Sequence, residues 1–449
     1  MARRDANGLL AALIAEADWT AGELARAVNG LGMAQGLCLR YDRTSVAHWL
    51  TGSRPRPPIP DLVAAALTQR LGRLVMPAET GLAQNPHPPD LLLTPGPGDG
   101  GAVLRLISLC RAEAAPERRA FLARSGYTLT AFALPGWLPE AAAPSTTASG
   151  AHRVAAEDVQ LLQEMARVFS GLSRSHGGGH ARTSLAAYIA DDVSRLLDAP
   201  GPGRLRTETQ VAVAQLVHLL ADMTADAGRD GLAQRYFYLA LSLAQQAGDR
   251  RQYAITLRAM SSQALRLLHD RHADQLAHAA IEVCGDRGDR GVHSFLLAQR
   301  ALTRARRRER RAAVADLSAA ESRHERAAEE GGPFAAYPKA GLYYQRAEVL
   351  LALGDDVPAR AALDASLAHR SPDEHRPAAL TRAKLAESLL RAGNLDEACG
   401  HWQAFFDHYP HLRSAQVDQA FTEMVRCLRP YRRQRQAGAV LERAREFAK

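Results

Sequence analysis

Apolar residues recur at three- and four-residue spacing throughout the stretch from Ala151 to the end of the chain, and runs of β-branched residues are absent. That period predicts helix nearly everywhere and few strands. In the first 82 residues the same spacing marks four helices. Leu9, Leu10, Leu13, Ile14 and Ala17 form one apolar face. A second helix opens at Trp19-Thr20-Ala-Gly-Glu-Leu24, with Thr20 as its N-cap. A third runs from Asp42 through Val46, Trp49 and Leu50 to Gly52, and a fourth starts at Pro60-Asp-Leu62-Val63. Two Pro- and Gly-rich stretches, Gln84 to Gly101 and Pro135 to Gly150, break the pattern and read as linkers. The expectation is an all-α chain with a head at 1–82, a linker at 83–101, a short helical segment at 102–134, a second linker at 135–153 and a helical tail at 154–449.

The tail repeats. Ala233, Ala273, Ala313, Ala359, Ala398 and Ala437 follow one another at spacings of 40, 40, 46, 39 and 39 residues. Seven residues after each stand Ala240, Ala280, Ala320, Ser366, Phe405 and Ala444; twelve before stand Ala221, Ser261, Ala301, Ala347, Ala386 and Val425. Fourteen of these eighteen sites are Ala, which predicts two helices crossing closely in each repeat. Four residues after the anchors come Phe237, Ala277, Leu317, Leu363, Trp402 and Leu441, mostly large side chains to fill the space beside the crossing. Small residues at these offsets, with Gly five before the anchor at Gly228, Gly354 and Gly393, resemble the tetratricopeptide repeat over roughly 207–447. The family period is 34, so longer helices are expected. The resemblance implies a helical solenoid whose first helices line a groove. Its groove offsets fall on Gln215, His218, Asp222, Arg258, Ser262, Tyr344, Glu348 and Glu387, a mixed polar and aromatic set suited to a peptide, a small molecule or a protein segment.

In the head, the Glu-Leu-Ala segment at 23–25 and the form T-S-V-x-x-W-L-x-G at 44–52 resemble the lambda-repressor or Xre-type helix-turn-helix. The resemblance implies that the third helix enters the major groove of double-stranded DNA, with Arg43, Thr44, Ser45 and His48 toward bases and Val46, Trp49 and Leu50 toward the core. It places Arg54 and Arg56 beside phosphates. The usual tight turn is replaced here by the longer Asn29 to Tyr41. Together with Leu50-Thr-Gly-Ser-Arg-Pro-Arg-Pro-Pro-Ile-Pro60, Gly177-Gly-Gly-His-Ala-Arg182 and Asp230-Gly-Leu-Ala-Gln-Arg-Tyr236, the layout is similar to actinomycete transcriptional regulators that join an Xre-type head to a repeat tail. Some of these restrain sporulation and antibiotic production. The implied function is a dimeric DNA-binding regulator whose tail receives a signal or partner. The alternative is an interaction scaffold whose head serves protein contacts.

Charge adds little. The net +8 permits an acidic partner, but 53 arginines against three lysines and 86 alanines reflect a compositional bias of the whole chain. The head itself carries nine Arg against seven acids. The five cysteines, Cys38, Cys110, Cys284, Cys399 and Cys427, form no CxxC pair and suit a reducing cytoplasm. No run of 18 apolar residues is present, and Asp5, Glu16 and Asp18 interrupt the N-terminal apolar segment, so neither membrane span nor signal peptide is expected. His176-Gly-Gly-Gly-His180 resembles an esterase oxyanion loop, but no GxSxG accompanies it, and it reads as an interhelical turn. No acid or cysteine stands at ligand spacing from its histidines, so no metal is expected. Arg118-Arg-Ala-Phe-Leu122 has the form of a twin-arginine signal but lies far from the N-terminus, and reads as part of an amphipathic helix. The Arg-rich runs at 300–311 and 426–435 read as solvated helix edges, with a phosphate-contacting surface as the alternative. No nucleophile, paired acid or phosphate loop stands out, so no catalytic residue, no cofactor and no enzymatic activity are expected.

Overall fold

A computed structural model describes residues 6–34, 39–56, 59–71, 75, 79–82, 101–114, 127, 153–285, 289–326 and 337–447. Helices are the only extended regular structure among them, so the fold is all-α. The expected linkers and the Arg118–Leu122 segment lie outside the described residues, apart from the helical start at 101 and residue 153. The described residues fall into two compact units, one from 1–96 with 126–136, the other from 97–125 with 137–449.

The first unit holds α1 (Gly8–Glu16), α2 (Ala21–Ala34), α3 (Arg43–Leu50) and α4 (Ile59–Leu71). Local chemistry sets each start. Asn7 caps α1 by accepting from the Leu10 amide at 3.1 Å, and its side-chain amide donates to the Thr80 carbonyl at 2.8 Å, tying the end of the unit to its beginning. Thr20 and Glu23 form a reciprocal capping box on α2, with the Thr20 amide donating to Glu23 Oε2 at 2.7 Å and the Glu23 amide to Thr20 Oγ1 at 3.3 Å. The core gathers Leu10, Leu24, Val28, Val46, Trp49, Val63 and Leu67. Burying each of these leucines contributes about 1.5–3 kcal/mol. Leu9 departs from the expected apolar face: it is 58% exposed, because a nine-residue helix presents only a narrow stripe, which Leu10, Leu13 and Ala17 fill.

In the second unit, α5 (Gly101–Ala114) packs against α7 (Gly178–Tyr188) and α10 (Asp230–Gln246), so this short helix belongs with the tail. Its anchor is Glu113, 3% exposed. Arg182 Nη1 donates to both of its oxygens, at 2.5 and 2.8 Å, and the Tyr236 hydroxyl donates to Oε2 at 2.7 Å. Removing one partner from such a buried pair costs about 3–5 kcal/mol. Before the repeats come α6 (Ala156–His176), a π-turn at Ile189–Val193 that continues α7, and α8 (Ser194–Asp198).

Six helical hairpins follow among the described residues: α9 (Gly203–Asp226) with α10, α11 (Arg250–Arg266) with α12 (Asp270–Cys284), α13 (Arg290–Arg306) with α14 (Arg310–Glu325), α15 (Lys339–Leu353) with α16 (Asp356–Ala368), α17 (His375–Arg391) with α18 (Leu395–Phe406), and α19 (Ala415–Leu428) with α20 (Arg435–Arg445). The six anchor alanines are all wholly buried in the second helices. Where the small-residue pattern admits Ser, the hydroxyl donates across the crossing: Ser261 to the Ala273 carbonyl at 2.7 Å and Ser366 to the Ala340 carbonyl at 2.8 Å. Val425 is the departure, only partly buried in the last hairpin.

The position five before the anchor ends the first helix in the left-handed region, at Gly228, Leu268, Arg308, Gly354 and Gly393, with φ between 64° and 85°. The next amide returns to a carbonyl five residues back, as from Asp355 to Leu350 at 2.9 Å and from Asn394 to Leu389 at 3.0 Å. Leu268 and Arg308 occupy this conformation without being glycine, at a cost of about 1–2 kcal/mol each. In the last hairpin a short 3-10 turn, Arg429–Tyr431, takes its place.

The array closes on itself. His176-Gly-Gly-Gly-His180 is the turn between α6 and α7, and it packs against the start of the sixth hairpin. The Gly179 amide donates to the Arg413 carbonyl at 2.9 Å, and the Arg413 amide to the His176 carbonyl at 2.8 Å. Asp226, at the end of α9, accepts from the Gly178 amide at 2.7 Å, from Ser414 Oγ at 2.7 Å and from Arg376 of α17 at 2.7 Å. Glycine is needed for this approach: a Cβ on Gly177 would stand 2.7 Å from the Arg413 carbonyl oxygen, and one on Gly178 2.6 Å from that of Met223.

The left-handed turns give a paired prediction. Leu268→Gly and Arg308→Gly should each stabilise the chain by about 0.5–1 kcal/mol, whereas Gly354→Ala and Gly393→Ala, which meet no neighbour, should each destabilise it by about 1 kcal/mol. Urea midpoints read both signs, and a loss of stability in the two glycine replacements would contradict the assignment of strain.

Candidate functional site

Two surfaces carry the residues singled out in the sequence. On the first unit, α3 is capped by Asp42, whose Oδ1 accepts from the Ser45 amide at 2.9 Å, while the Asp42 amide donates to Ser45 Oγ at 3.3 Å. These bonds hold the Asp42 carboxyl below its ordinary range, the Ser45 backbone contributing most. Ser45 Oγ also donates to Asp42 Oδ1 at 2.8 Å, so its hydroxyl is engaged in the cap and half-buried. Arg43, Thr44 and His48 stand exposed on one side of α3, and Val46 and Trp49 are buried on the other. Arg54 and Arg56 are exposed on the segment that follows.

The long connection between α2 and α3 is partly helix, since α2 continues to Ala34. Its far end is fastened back by Asn29, whose Nδ2 donates to the Tyr41 carbonyl at 2.8 Å and whose Oδ1 accepts from the Tyr41 amide at 3.0 Å. The Tyr41 ring meets Trp49 edge-on at 5.1 Å. The two sides of the connection are thereby joined at Asn29 and Tyr41, next to the first turn of α3.

The second surface is a cavity of roughly 1330 Å³ inside the closed array, lined by α6 and by residues from every hairpin. Asp222, Arg258, Ser262, Tyr344, Glu348 and Glu387 line it. Gln215 and His218 do not. Gln215 is half-buried away from the wall, and His218 is 3% exposed, its Nδ1 3.1 Å from Thr256 Oγ1 and its Nε2 3.3 Å from Asp222 Oδ2. The imidazole therefore sits behind the wall and positions Asp222. Residues missing from the sequence reading share a different offset. Leu219, Ala259, Gln299, Gln345, Lys384 and Glu423 stand fourteen before their anchors and all line the cavity. That offset adds to the carried-over ones, fifteen and eleven before the anchors, which still reach the wall at Arg258, Tyr344, Asp222, Ser262, Glu348 and Glu387. Phe295, Tyr337 and Arg376 complete the polar and aromatic wall.

The wall is electrostatically mixed. Lys384 pairs with Glu348 at 2.6 Å, and Arg391 with Asp356 at 3.3 Å. Burial pushes the Tyr344 phenol up to about 12, with Glu348 adding to the effect. Burial also raises the Glu387 carboxyl; Lys384 opposes this and Glu423 reinforces it. The Arg-rich run at 300–311, which reaches the cavity at Arg306, is largely paired. Arg300 and Arg304 both reach Asp316, at 2.7 Å, Arg306 and Arg307 reach Asp270 and Asp274, and Arg310 reaches Asp355 at 2.8 Å. The Asp316 pairs lie within the third hairpin and the others tie it to its neighbours, and all use charges that a phosphate surface would need free.

Among the described residues, no group of His, Cys, Asp and Glu could hold a metal ion, and no helix is long and apolar enough to cross a membrane. Cys110, Cys284, Cys399 and Cys427 are free thiols. A family model described as the SP15 N-terminal domain matches residues 10–83. That stretch begins inside α1 and takes in α2, α3 and α4. No curated protein matches the chain.

The raised Glu387 carboxyl has a defined pH signature. Its ionised form is disfavoured in the folded chain, so the penalty is absent below the ordinary glutamate pKa, grows as pH rises through the raised value and stays constant above it. Glu387→Gln should therefore stabilise the protein at pH 7 and leave it unchanged near pH 3.5, about one unit below the ordinary range. Paired denaturation curves at the two pH values check this, and an equal effect at both would contradict it.

Proposed function

We propose that the chain is a DNA-binding transcriptional regulator, with a helix-turn-helix of Xre type formed by α2 and α3 and a tetratricopeptide-like array that receives a ligand in its cavity. The observation that carries the reading is α3. Its Arg43, Thr44 and His48 project together into solvent while Val46 and Trp49 anchor the opposite side, the division required of a helix that lies in the major groove. Arg43 suits bidentate contact with guanine and His48 a second base edge; Ser45, engaged in the cap, serves chiefly to start the helix. Arg54 and Arg56 supply phosphate contacts.

One such head buries too little surface for tight, specific binding alone, so the operator is read by a dimer. In the array, the first helices present polar and aromatic side chains to a partly open volume larger than a typical small-molecule pocket of about 300–1,000 Å³. The likeness to regulators of differentiation and secondary metabolism gives the class of genes concerned.

Selection from a random duplex library by the full-length protein, at about 150 mM salt where nonspecific attraction is screened, tests the reading. An enriched motif is expected, and it should vanish in the Arg43→Ala/His48→Ala double variant. Arg54→Ala should weaken binding to all sequences alike and reduce the salt slope by about one. Absence of enrichment, together with capture of a protein partner by the full-length chain, would overturn the regulator and favour a scaffold whose head makes protein contacts.

A further inference from the structure

Most cations on the cavity wall have a carboxylate close by. Arg376 has Asp226 at 2.7 Å, Lys384 has Glu348 at 2.6 Å, and Arg266 has Asp230. Arg258 on α11 is the departure. Among the described residues no carboxylate lies within ion-pair distance of it, and its Nε has no acceptor. Its one hydrogen bond runs from Nη2 to Gln345 Oε1, at a long 3.4 Å. The guanidinium instead lies over the Phe295 ring, 3.9 Å from the centroid.

Phe295 packs in turn on Tyr337, with ring centroids 4.8 Å apart, and the Tyr337 hydroxyl is withdrawn from solvent without a partner. Two unsatisfied donors therefore flank one aromatic ring. Burial lowers the Arg258 pKa, while Tyr337 and Asp222 act in the opposite sense. A desolvated cation without a counter-ion is costly unless a ligand completes it. The neighbouring amides are already engaged with each other: Ser262 Oγ donates to Gln299 Oε1 at 3.0 Å, and Gln345 Nε2 reaches the same oxygen at 3.4 Å. Among the described residues no side chain supplies the missing acceptor.

We propose that Arg258, seated on Phe295 beside Tyr337, is the recognition point for a carboxylate carried on an apolar body, the shared chemistry of a small organic acid and of a short peptide's C-terminus. This rests on the reading of the array as a ligand receiver. Planar guanidinium and planar carboxylate match in geometry, and the Phe295–Tyr337 pair beside the charge gives the ligand body an apolar contact. A single negative charge is favoured over a phosphate dianion, because Arg376, Lys384 and Arg266 are already paired and Arg258 alone presents one charge to be met.

The test uses the full chain and two probe panels, aliphatic and aromatic monocarboxylic acids beside their primary amides, and C-terminally free hydrophobic pentapeptides beside their amidated forms. Inorganic phosphate serves as a further probe. Calorimetric titration should find at least one free acid that binds. Its amide should bind at least about tenfold more weakly, as loss of a charge-assisted bond requires. Arg258→Gln should lose the same factor for the acid and nothing for the amide. Tyr337→Phe, which keeps the ring, should weaken the acid less than Arg258→Gln does, and it tests the site independently should Arg258→Gln fail to fold. Which panel responds identifies the source of the carboxylate.

The proposal is overturned if acid and amide bind alike, if Arg258→Gln binds the acid as tightly as the wild type, if phosphate outcompetes every carboxylate, or if no probe binds. Equal binding of acid and amide would leave a ligand-receiving array without a carboxylate site. Because no DNA is present, failure of operator reading does not affect the outcome.

Discussion

Asp226 is the point on which the second unit depends. It is 3% exposed, and its two oxygens join three separate stretches of chain: the glycine turn before α7, the N-terminal end of α17 and the start of α19. A carboxylate this deep is retained only when its charge and lone pairs are met, and the three partners meet them together. The consequence is topological. An array of hairpins touching only their neighbours would be an open strip, with a groove along one side. Joining its first layer to its fifth and sixth surrounds that groove with hairpins while leaving it partly open, so the volume lined by Arg258, Tyr344 and Lys384 depends on contacts at the seam.

Much of the hairpin architecture was legible in the sequence, because it rests on a steric rule that leaves a compositional trace. Helices that cross closely need small residues at the crossing, and the six alanine anchors are buried there. The left-handed turn was legible where it falls on glycine, at Gly228, Gly354 and Gly393, and hidden where Leu268 and Arg308 bear the same conformation. The closure left no local signal. The Gly177-Gly178-Gly179 run announced a turn, but the reason for three glycines is the backbone of residue 413 and the end of α9, which no spacing rule connects to them.

The cavity wall was legible to within one residue. Offsets carried over from a shorter repeat placed Asp222, Arg258, Ser262, Tyr344, Glu348 and Glu387 on it, yet put His218 there instead of Leu219 and passed over Gln299 and Gln345. The wall is wide enough to take in the position fourteen before each anchor beside those at fifteen and eleven, so adjacent side chains share it. In the first unit the sequence located α3 and its buried side through Val46 and Trp49, but the long connection looked unconstrained. Asn29 resolves it by gripping both backbone groups of Tyr41, a long-range use of a side chain that no local pattern signals.

Hydrogen exchange on the full chain, comparing wild type with Asp226→Ala, tests the dependence on the seam most directly. The amides of Gly178, Gly179 and Arg413 each donate across it, to Asp226, to the Arg413 carbonyl and to the His176 carbonyl. Loss of the carboxylate should strip protection from all three, while amides inside α11, which depend on their own hairpin, keep theirs. Unchanged protection at Gly179 and Arg413 in the variant would contradict the account, because the array would then stay closed without the residue held to close it.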